Sequence, residues 1–212
     1  MHPNPAFRGT AEDKNLAFAK ERGFGMLAIS APDVAPMLSH VPFLLSEDGK
    51  TADLHLVRSN PMARAVKSVT PARLAVSGPD GYVSPDWYNA DDQVPTWNYV
   101  AVQITGHLTP LPQDDLPNLL DRLSAHFEAN LLPKPPWTRA KMSGDSFERM
   151  LRMIVPYRLT IEDVQGTWKL GQNKPAEVRH AAADQMAAYG FGSEARELAA
   201  LMQSPFADPD TE

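Results

Sequence analysis

The stretch "TWNYVAVQITGHL", residues 96–108, is the clearest strand in the sequence and decides the fold. Val100, Val102 and Ile104 lie at every second position. Tyr99 is the first of the residues that alternate with them and belong to the opposite face. Because successive side chains of a strand point to opposite faces, this alternation predicts a long strand with one apolar, core-facing side.

Further strand patterns lie on both sides of this segment. They are "FGMLAIS" (24–30), "PMLSHVPFLLSE" (36–47), "TADLHLV" (51–57), "ARLAVSG" (72–78) with a short "YVS" after a "PDG" turn, and "YRLTIEDVQGTWKL" (157–170) as a strand pair or one long bent strand. The Asp-Gly pair in "EDGK" predicts that the second and third of these form a hairpin.

Helical patterns occupy the ends of the chain and the gaps between strands. They are residues 10–23, a short helix from Pro61, residues 112–130 and 146–154, and two C-terminal helices at 175–190 and 193–203. Consecutive strands joined by tight turns favour an antiparallel sheet. The sequence therefore predicts a mainly β fold with peripheral helices, a small barrel rather than a doubly wound sheet.

Length and composition bound the function classes. The 212 residues fit one domain at 1–175, followed by a helical appendage at 176–203 and a flexible tail at 204–212. The formal net charge of -6 argues against a uniformly basic nucleic-acid surface, and the absence of Cys excludes disulfides, thiolate zinc sites and a catalytic thiol. No apolar run has the length of a membrane span, so we expect a cytoplasmic protein.

The turn after the predicted hairpin is the first candidate site. In "LHLVRSNPMARAVK", Asn60 caps a helix whose free backbone N–H groups favour an anion. Arg58 before the helix and Arg64 on it add charge, and an Arg side chain can bind phosphate through two donors. From these residues alone, a plain strand-to-helix turn with a solvated basic face remains the favoured interpretation.

A second candidate is the donor-rich segment "WKLGQNKP", residues 168–175. It contains Lys169, Gln172, Asn173 and Lys174 directly behind an aromatic residue. Such donors suit a ring system rich in carbonyl groups, such as a flavin. A polar loop before the C-terminal helix explains the same residues equally simply.

The histidines and the C-terminal helices give weaker signals. None of the six His residues has metal-ligand spacing, although His40 and His55 lie on adjacent predicted strands. The C-terminal segment 177–203 has a helix-turn-helix outline, but its second helix carries one Arg and two Glu. We interpret it as a packing or dimerisation element rather than a DNA-recognition helix.

Five segments together resemble the PaiB-type family of FMN-binding negative transcriptional regulators, over about residues 5 to 190. They are "SHVPFLL", "LHLVRSNP", "YVSPDWY", "VPTWNYVAVQITG" and "WKLGQNKP". The resemblance implies an antiparallel FMN-binding split β-barrel, akin to pyridoxamine-phosphate oxidase, with C-terminal helices. It also implies a homodimer with flavin at the subunit interface.

The same resemblance assigns roles to both candidate sites and reverses the preference for their plainer interpretations. It implies that Arg58, Ser59 and Asn60, with Arg64 behind them, cradle the phosphate. Trp97, Asn98 and Tyr99 would line the pocket, and the donors of the second segment, Lys169, Gln172, Asn173 and Lys174, would face the flavin of the partner subunit. The chain departs from the family pattern at Gly171, where a Ser is usual.

Three functions remain open from the sequence. The first is a flavin-binding regulator that acts on DNA directly or through a partner. The second is an FMN-dependent oxidoreductase or flavin reductase, for which His40, Tyr82 and Tyr88 are the candidate acid–base residues. The third is a heme-binding split barrel with an axial ligand drawn from His40, His55 and His107.

Overall fold

The computed structural model describes residues 2–30 and 35–205. The chain divides into two compact units. The first unit comprises Met1–Phe18, Val76–Val102 and Gln165–Glu212, and the second comprises Ala19–Ala75 and Gln103–Val164. The domain boundaries inferred from the sequence stay a prediction. Residues 206–212 of the predicted tail lie outside the described residues.

Six strands form the sheet. They are β1 (Phe24–Ile29), β2 (Met37–Leu45), β3 (Thr51–Val57), β4 (Thr70–Val83), β5 (Thr96–Pro110) and β6 (Ile154–Lys169). The strand order is β1-β2-β3-β6-β5-β4, and β4 pairs back with β1, which closes a barrel. The registers of β1 with β2 and β4, and of β3 with β2 and β6, are antiparallel. The predicted antiparallel barrel is confirmed.

Six α-helices accompany the strands in the described part of the chain. They are α1 (Glu12–Arg22), α2 (Pro61–Ala65), α3 (Leu116–Ala129), α4 (Gly144–Leu151), α5 (Ala176–Tyr189) and α6 (Ala195–Gln203). Short 3-10 turns occupy Pro5–Phe7, Pro85–Tyr88, Gln113–Asp115 and Arg139–Lys141. None of the described helices combines the length and apolar character that a bilayer crossing requires.

The expected turn at "PDG" is wrong, because β4 runs through it without interruption. The backbone N–H of Asp80 donates to the Ser193 carbonyl at 2.9 Å, so its hydrogen bond does not come from a tight turn. Gly81 lies against the side chains of Met186 and Leu198, from α5 and α6. Packing against these helices therefore keeps an extended conformation that the Pro-Asp-Gly sequence alone disfavours.

The last strand pattern forms the single long strand β6, one of its two predicted forms. Gly106 of β5 faces it, and a Cβ atom at that position would fall 1.9 Å from the Thr160 carbonyl oxygen. No side chain fits this space. The glycine therefore permits the close approach of the two backbones.

A buried carboxylate fastens α3 and β6 to β3 in the second unit. Asp53 is only 3% exposed. Its Oδ1 accepts from Arg158 Nε at 2.6 Å, and its Oδ2 accepts from Arg158 Nη2 at 2.9 Å and Arg122 Nη2 at 2.7 Å. Burial by itself raises the pKa of Asp53, but the two guanidinium groups outweigh it and hold that pKa below its ordinary value.

The first unit has polar groups within its core. The Trp168 indole donates to Asn15 Oδ1 at 2.8 Å, and its ring meets Phe18 edge to face. Arg179, 1% exposed, donates from Nε to the Met202 carbonyl at 2.8 Å and so ties α5 to α6. The Trp168 bond fixes the end of β6 from which the second candidate segment begins.

Candidate functional site

Two lysines converge in the first unit at the end of β6. Lys169 Nζ donates to Thr96 Oγ1, and Lys174 Nζ donates to Gln93 Oε1. Lys174 Nζ also lies 4.4 Å from the centre of the Tyr88 ring, a cation–π contact. We call these five residues the lysine cluster.

The positive charge of this cluster is not neutralised. Within residues 2–30 and 35–205, neither lysine pairs with a carboxylate. Burial, reinforced by the positive charge of Lys174, lowers the pKa of Lys169. Two partly buried ammonium groups that repel each other favour an anionic or acceptor-rich ligand.

Tyr88 adds a buried donor to the cluster. It is 1% exposed, and its hydroxyl has no hydrogen-bond partner among the described residues. Burial raises the pKa of Tyr88 to about 12, so the phenol stays protonated at neutral pH. The group can therefore donate a hydrogen bond to a ligand but cannot act there as a base.

The neighbouring amide side chains have different surroundings. Gln172 is buried and braces its own loop, because it accepts from the Leu170 N–H at 2.8 Å and donates to the Ala6 carbonyl at 3.1 Å. Asn98, 1% exposed, contacts Met202 Sδ at 3.4 Å. Asn173 is exposed. Of the three, Asn173 has the accessibility that direct ligand contact requires.

Gly171 lies in the left-handed region with a φ of 79°. This conformation is strained for any residue with a Cβ, which gives a backbone reason for glycine where the family pattern has Ser. Its carbonyl accepts from the Lys174 N–H at 2.9 Å. The turn thereby positions the second lysine of the cluster.

The three predicted pocket residues of β5 divide between its two faces, with Trp97 and Tyr99 on one face and Asn98 on the other. Asn98 is buried, whereas Trp97 is 46% exposed and Tyr99 is half-buried. Trp97 meets Tyr82 and Phe191 edge to face, with ring centres 6.5 and 5.8 Å away. Trp97 and Asn98 therefore cannot contact one ligand from the same face of the strand.

The Arg58 turn lies in the second unit, and the protein itself uses its donors. Arg58 donates to the carbonyls of Arg152 and Ile154 and to Gln113 Oε1, at 2.9, 3.3 and 3.0 Å. Arg58 is exposed and turns toward the start of β6. These bonds give it a structural role that the sequence did not indicate.

The remaining residues of this turn are also engaged. Asn60 caps α2 by accepting from the Met62 N–H at 2.9 Å, which confirms the predicted cap, and it donates to Ser39 Oγ at 3.0 Å. Arg64 Nη2 donates to the Ser59 carbonyl at 2.7 Å. Ser59 and Arg64 are exposed, so their remaining polar groups face solvent.

The three histidines considered for heme ligation have separate environments. His40 is exposed and stacks on Phe24, whereas His107 Nδ1 lies 2.9 Å from Glu162 Oε1. His55 is half-buried, and burial lowers its pKa below 6.5. Among the described residues, no cluster of His, Asp and Glu has the arrangement of a metal site.

Sequence reasoning missed two members of the lysine cluster, Gln93 and Thr96. Gln93 lies in the polar stretch "NADDQ", residues 89–93, which has no helix or strand pattern. It is 81 positions from Lys174, its partner. No local periodicity reports a contact at that separation.

The comparisons with known proteins agree with this architecture. A family model described as "Putative FMN-binding domain" matches residues 1–163. The "Protease synthase and sporulation protein PAI 2" of Bacillus subtilis is 29% identical over 170 residues, covering 79% of this chain and 80% of that protein.

Solved structures show the same fold at low identity. A FAD and heme binding protein from Mycobacterium smegmatis superimposes with a TM-score of 0.57 at 17% identity, covering 88% of this chain and 82% of that one. The flavocytochrome Anf3 from Azotobacter vinelandii gives a TM-score of 0.50 at 14% identity, covering 75% and 68%. These two likenesses concern the fold alone.

Proposed function

Because the chain belongs to the FMN-binding family whose model spans residues 1–163, its cofactor is FMN, and we propose that it is a homodimeric, PaiB-like regulator of transcription that acts in the cytoplasm. The observation that carries the cofactor site is the lysine cluster. Its positive charge, which no carboxylate among the described residues neutralises, and the Tyr88 hydroxyl match a flavin ring, which is rich in hydrogen-bond acceptors.

Each unit, taken by itself, has residues whose chemistry fits one part of FMN. In the first unit, Lys169, Lys174 and the exposed Asn173 would donate to flavin oxygens or nitrogens. In the second unit, Ser59 and Arg64 would contact phosphate through the groups that α2 leaves exposed. Gln172 and Asn60 would act indirectly, since their side chains already hold the loop and the helix cap.

Bound FMN supplies hydride or single-electron transfer, whereas the protein binds and orients it. The Tyr88 phenol, protonated at neutral pH, would donate a hydrogen bond. In the part of the chain that the structure describes, neither Lys169 nor Lys174 forms an ion pair with a carboxylate. The arrangement supports recognition of the flavin more directly than it supports acid–base catalysis.

Dimerisation is the second part of the proposal. The first unit exposes aromatic side chains, of which Trp97 is 46%, Phe191 61% and Tyr189 75% accessible. Aromatic residues in such a patch are typical of protein interfaces. Light scattering on the purified protein should give twice the chain mass of 23.3 kDa; a monomer at micromolar concentration would contradict the dimer.

The regulatory part rests on the family and on the named relative. The helix α6 carries Arg196 and Glu197 on a chain of net charge -6, so its charge gives little support to direct DNA contact. A gel-shift assay at moderate salt decides between direct binding and action through a partner. Absence of any sequence preference would remove direct binding.

The cofactor site is tested by flavin content. The purified protein should be yellow and release FMN on denaturation. Replacing Arg64 with Ala should weaken FMN binding about tenfold, because charge-assisted phosphate contacts contribute about 1.5–3 kcal/mol. Arg58→Ala is the informative companion: its bonds to Arg152 and Ile154 predict lower stability as well. Colourless protein that ignores added FMN would overturn the site.

Flavin reduction provides the test of the enzymatic alternative. Anaerobic titration with NADH or NADPH should leave the flavin oxidised if the protein is a regulator that uses FMN as a bound signal. Rapid bleaching of the flavin would instead establish the oxidoreductase. Uptake of heme with a Soret band would support the heme-binding alternative.

A further inference from the structure

An apolar cavity of about 340 Å³ lies within the second unit, and none of the residues assigned to FMN above lines it. Strand β3 contributes His55 and Val57, α3 contributes Ser124, and the segment from Trp137 to Met153 supplies most of the remaining wall. The volume falls within the range of small-molecule sites, about 300–1,000 Å³.

The lining of this cavity is suited to an aromatic ring. Met142, Met150 and Met153 all line it, together with Trp137 and Phe147. Thioether sulfurs and aromatic rings make favourable contacts with aromatic ligands, and methionine adapts its shape to the ligand it meets. Met150 and Met153 are 56% and 60% exposed, so the apolar wall is accessible from solvent.

One polar atom in this wall lacks a partner. His55 lines the cavity, and its Nδ1 is buried with no hydrogen-bond partner among the described residues. Burial lowers the pKa of His55, so its imidazole is neutral at pH 7 and adds no charge to the wall. An unsatisfied buried polar atom destabilises the fold, and a ligand that forms a hydrogen bond with it recovers that loss.

The charged groups of the cavity are already matched to each other. Asp121 Oδ2 lies 3.4 Å from Arg139 Nη2 in an ion pair whose two side chains are 44% and 49% exposed. The two charges neutralise each other, and both side chains remain in contact with solvent. A charged ligand would therefore gain little here, and a neutral one is favoured.

We propose that this cavity binds a neutral, planar aromatic compound of one or two rings, with one polar group bonded to His55. The ligand is distinct from FMN, because the one arginine that lines this cavity is paired with Asp121 and offers no unpaired positive charge to a phosphate. Occupation of the cavity would place a second small molecule on a flavin-binding protein, against the α3 and α4 surfaces.

The test uses FMN-saturated protein labelled at its methionine methyl groups with 13C. Indole and quinoline serve as probes, since indole offers a donor and quinoline an acceptor of comparable size. Either probe should shift the methyl signals of Met142, Met150 and Met153 saturably at millimolar concentration or below. Each of the three signals is assigned by its own Met→Leu variant.

Two variants provide a matched comparison. Val57→Phe places a ring in the wall at a position 49% exposed, whereas Val94→Phe makes the same change at a position 70% exposed and outside the cavity. Probe binding should weaken at least tenfold in the first and stay unchanged in the second. His55→Leu should abolish any difference in affinity between indole and quinoline, because it removes the group that bonds to the probe. Met150→Trp replaces Val57→Phe if that variant fails to fold.

Three outcomes would overturn the proposal. The first is the absence of saturable shifts with both probes, and the second is equal probe binding by the two phenylalanine variants. The third is displacement of the probe by FMN in flavin-free protein, which would make the cavity part of the flavin site. Loss of FMN binding with intact probe binding would instead contradict only the proposed function.

Discussion

Two groups of basic side chains in this protein have opposite surroundings. In the second unit, Arg122 and Arg158 share the buried carboxylate of Asp53. In the first unit, Lys169 and Lys174 have no acid in the described part of the chain. Both arginines donate to a buried carboxylate, although their own side chains are 46% and 43% exposed, whereas the two lysines have no such partner among the described residues.

The contrast separates a structural role from a binding role. A basic residue held by a buried acid stabilises the fold, and its removal leaves an uncompensated charge. A basic residue that is partly buried without an acid costs stability, which function must justify. The following substitutions test this distinction, from the largest expected effect to the smallest.

Asp53→Ala should lower the free energy of unfolding by about 3 kcal/mol, because it breaks a buried ion pair and leaves two arginines without their partner. Urea unfolding measures the loss. Glu47→Ala is the matched control, since Glu47 forms an ion pair with Lys20 but its side chain is 93% exposed. The control should change stability by less than about 0.5 kcal/mol. Equal losses would remove the structural role of the arginine group.

Lys169→Met should weaken FMN binding roughly tenfold or more, by removing one charge-assisted contact of about 1.5–3 kcal/mol. It should not lower the melting temperature of the FMN-free protein. The pKa of Lys169 is lowered in the fold, so at neutral pH its charged form is a penalty that the substitution relieves.

Quenching of flavin fluorescence measures the affinity, and Lys50→Met in the β2–β3 hairpin is the control. The positive charge of Lys50 helps to lower the pKa of Asp48, and Lys50 is not among the residues assigned to the flavin. Lower thermal stability of Lys169→Met with unchanged FMN affinity would give Lys169 the structural role of the arginines. The two groups would then no longer differ.

The sequence predicts the barrel better than it predicts the site. Alternation in residues 96–108 and the Asp-Gly hairpin are local signals, and both elements form as predicted. The turn at "PDG" fails because a distant partner, Ser193, holds Asp80 in β4. Local propensity cannot anticipate a constraint imposed from 113 positions away.

The same limit applies to the candidate site. The donor-rich segment identifies Lys169 and Lys174, but the sequence does not show that Gln172 is buried or that Gln93 receives a bond from Lys174. Arg58 shows a further limit. Its charge predicts phosphate binding, which stays a prediction, but the sequence does not indicate the three protein acceptors that hold its side chain.

Gly171→Ser restores the residue usual in the family and tests what positions the lysine cluster. The left-handed φ of 79° should cost a Ser about 1 kcal/mol. The added Cβ itself would meet Arg179 Cγ at an ordinary 3.6 Å, so steric overlap adds little. Gly144→Ser, where no atom lies within 4 Å of the added Cβ, should leave the melting temperature unchanged or raise it. A gain in FMN affinity without loss of stability would show that the turn relaxes to accept a hydroxyl ligand.

The smallest expected effect concerns His55. Because burial lowers its folded-state pKa below 6.5, the unfolded chain binds the proton first as the pH falls. Stability should therefore decline as the pH falls below about 6.5, until it passes the folded pKa, and be independent of this residue above that window. His55→Gln should flatten the curve there, whereas the exposed His40→Gln should not remove this decline.

Asp53 also lowers the stability as the pH falls, but it does so in a more acidic range than His55. Its pKa is lowered in the fold, so the carboxylate stays charged until the pH falls below 3.8. An unchanged curve in His55→Gln would mean that the folded and unfolded chains bind this proton equally well, so that burial would not keep the imidazole in the cavity wall neutral as the pH falls.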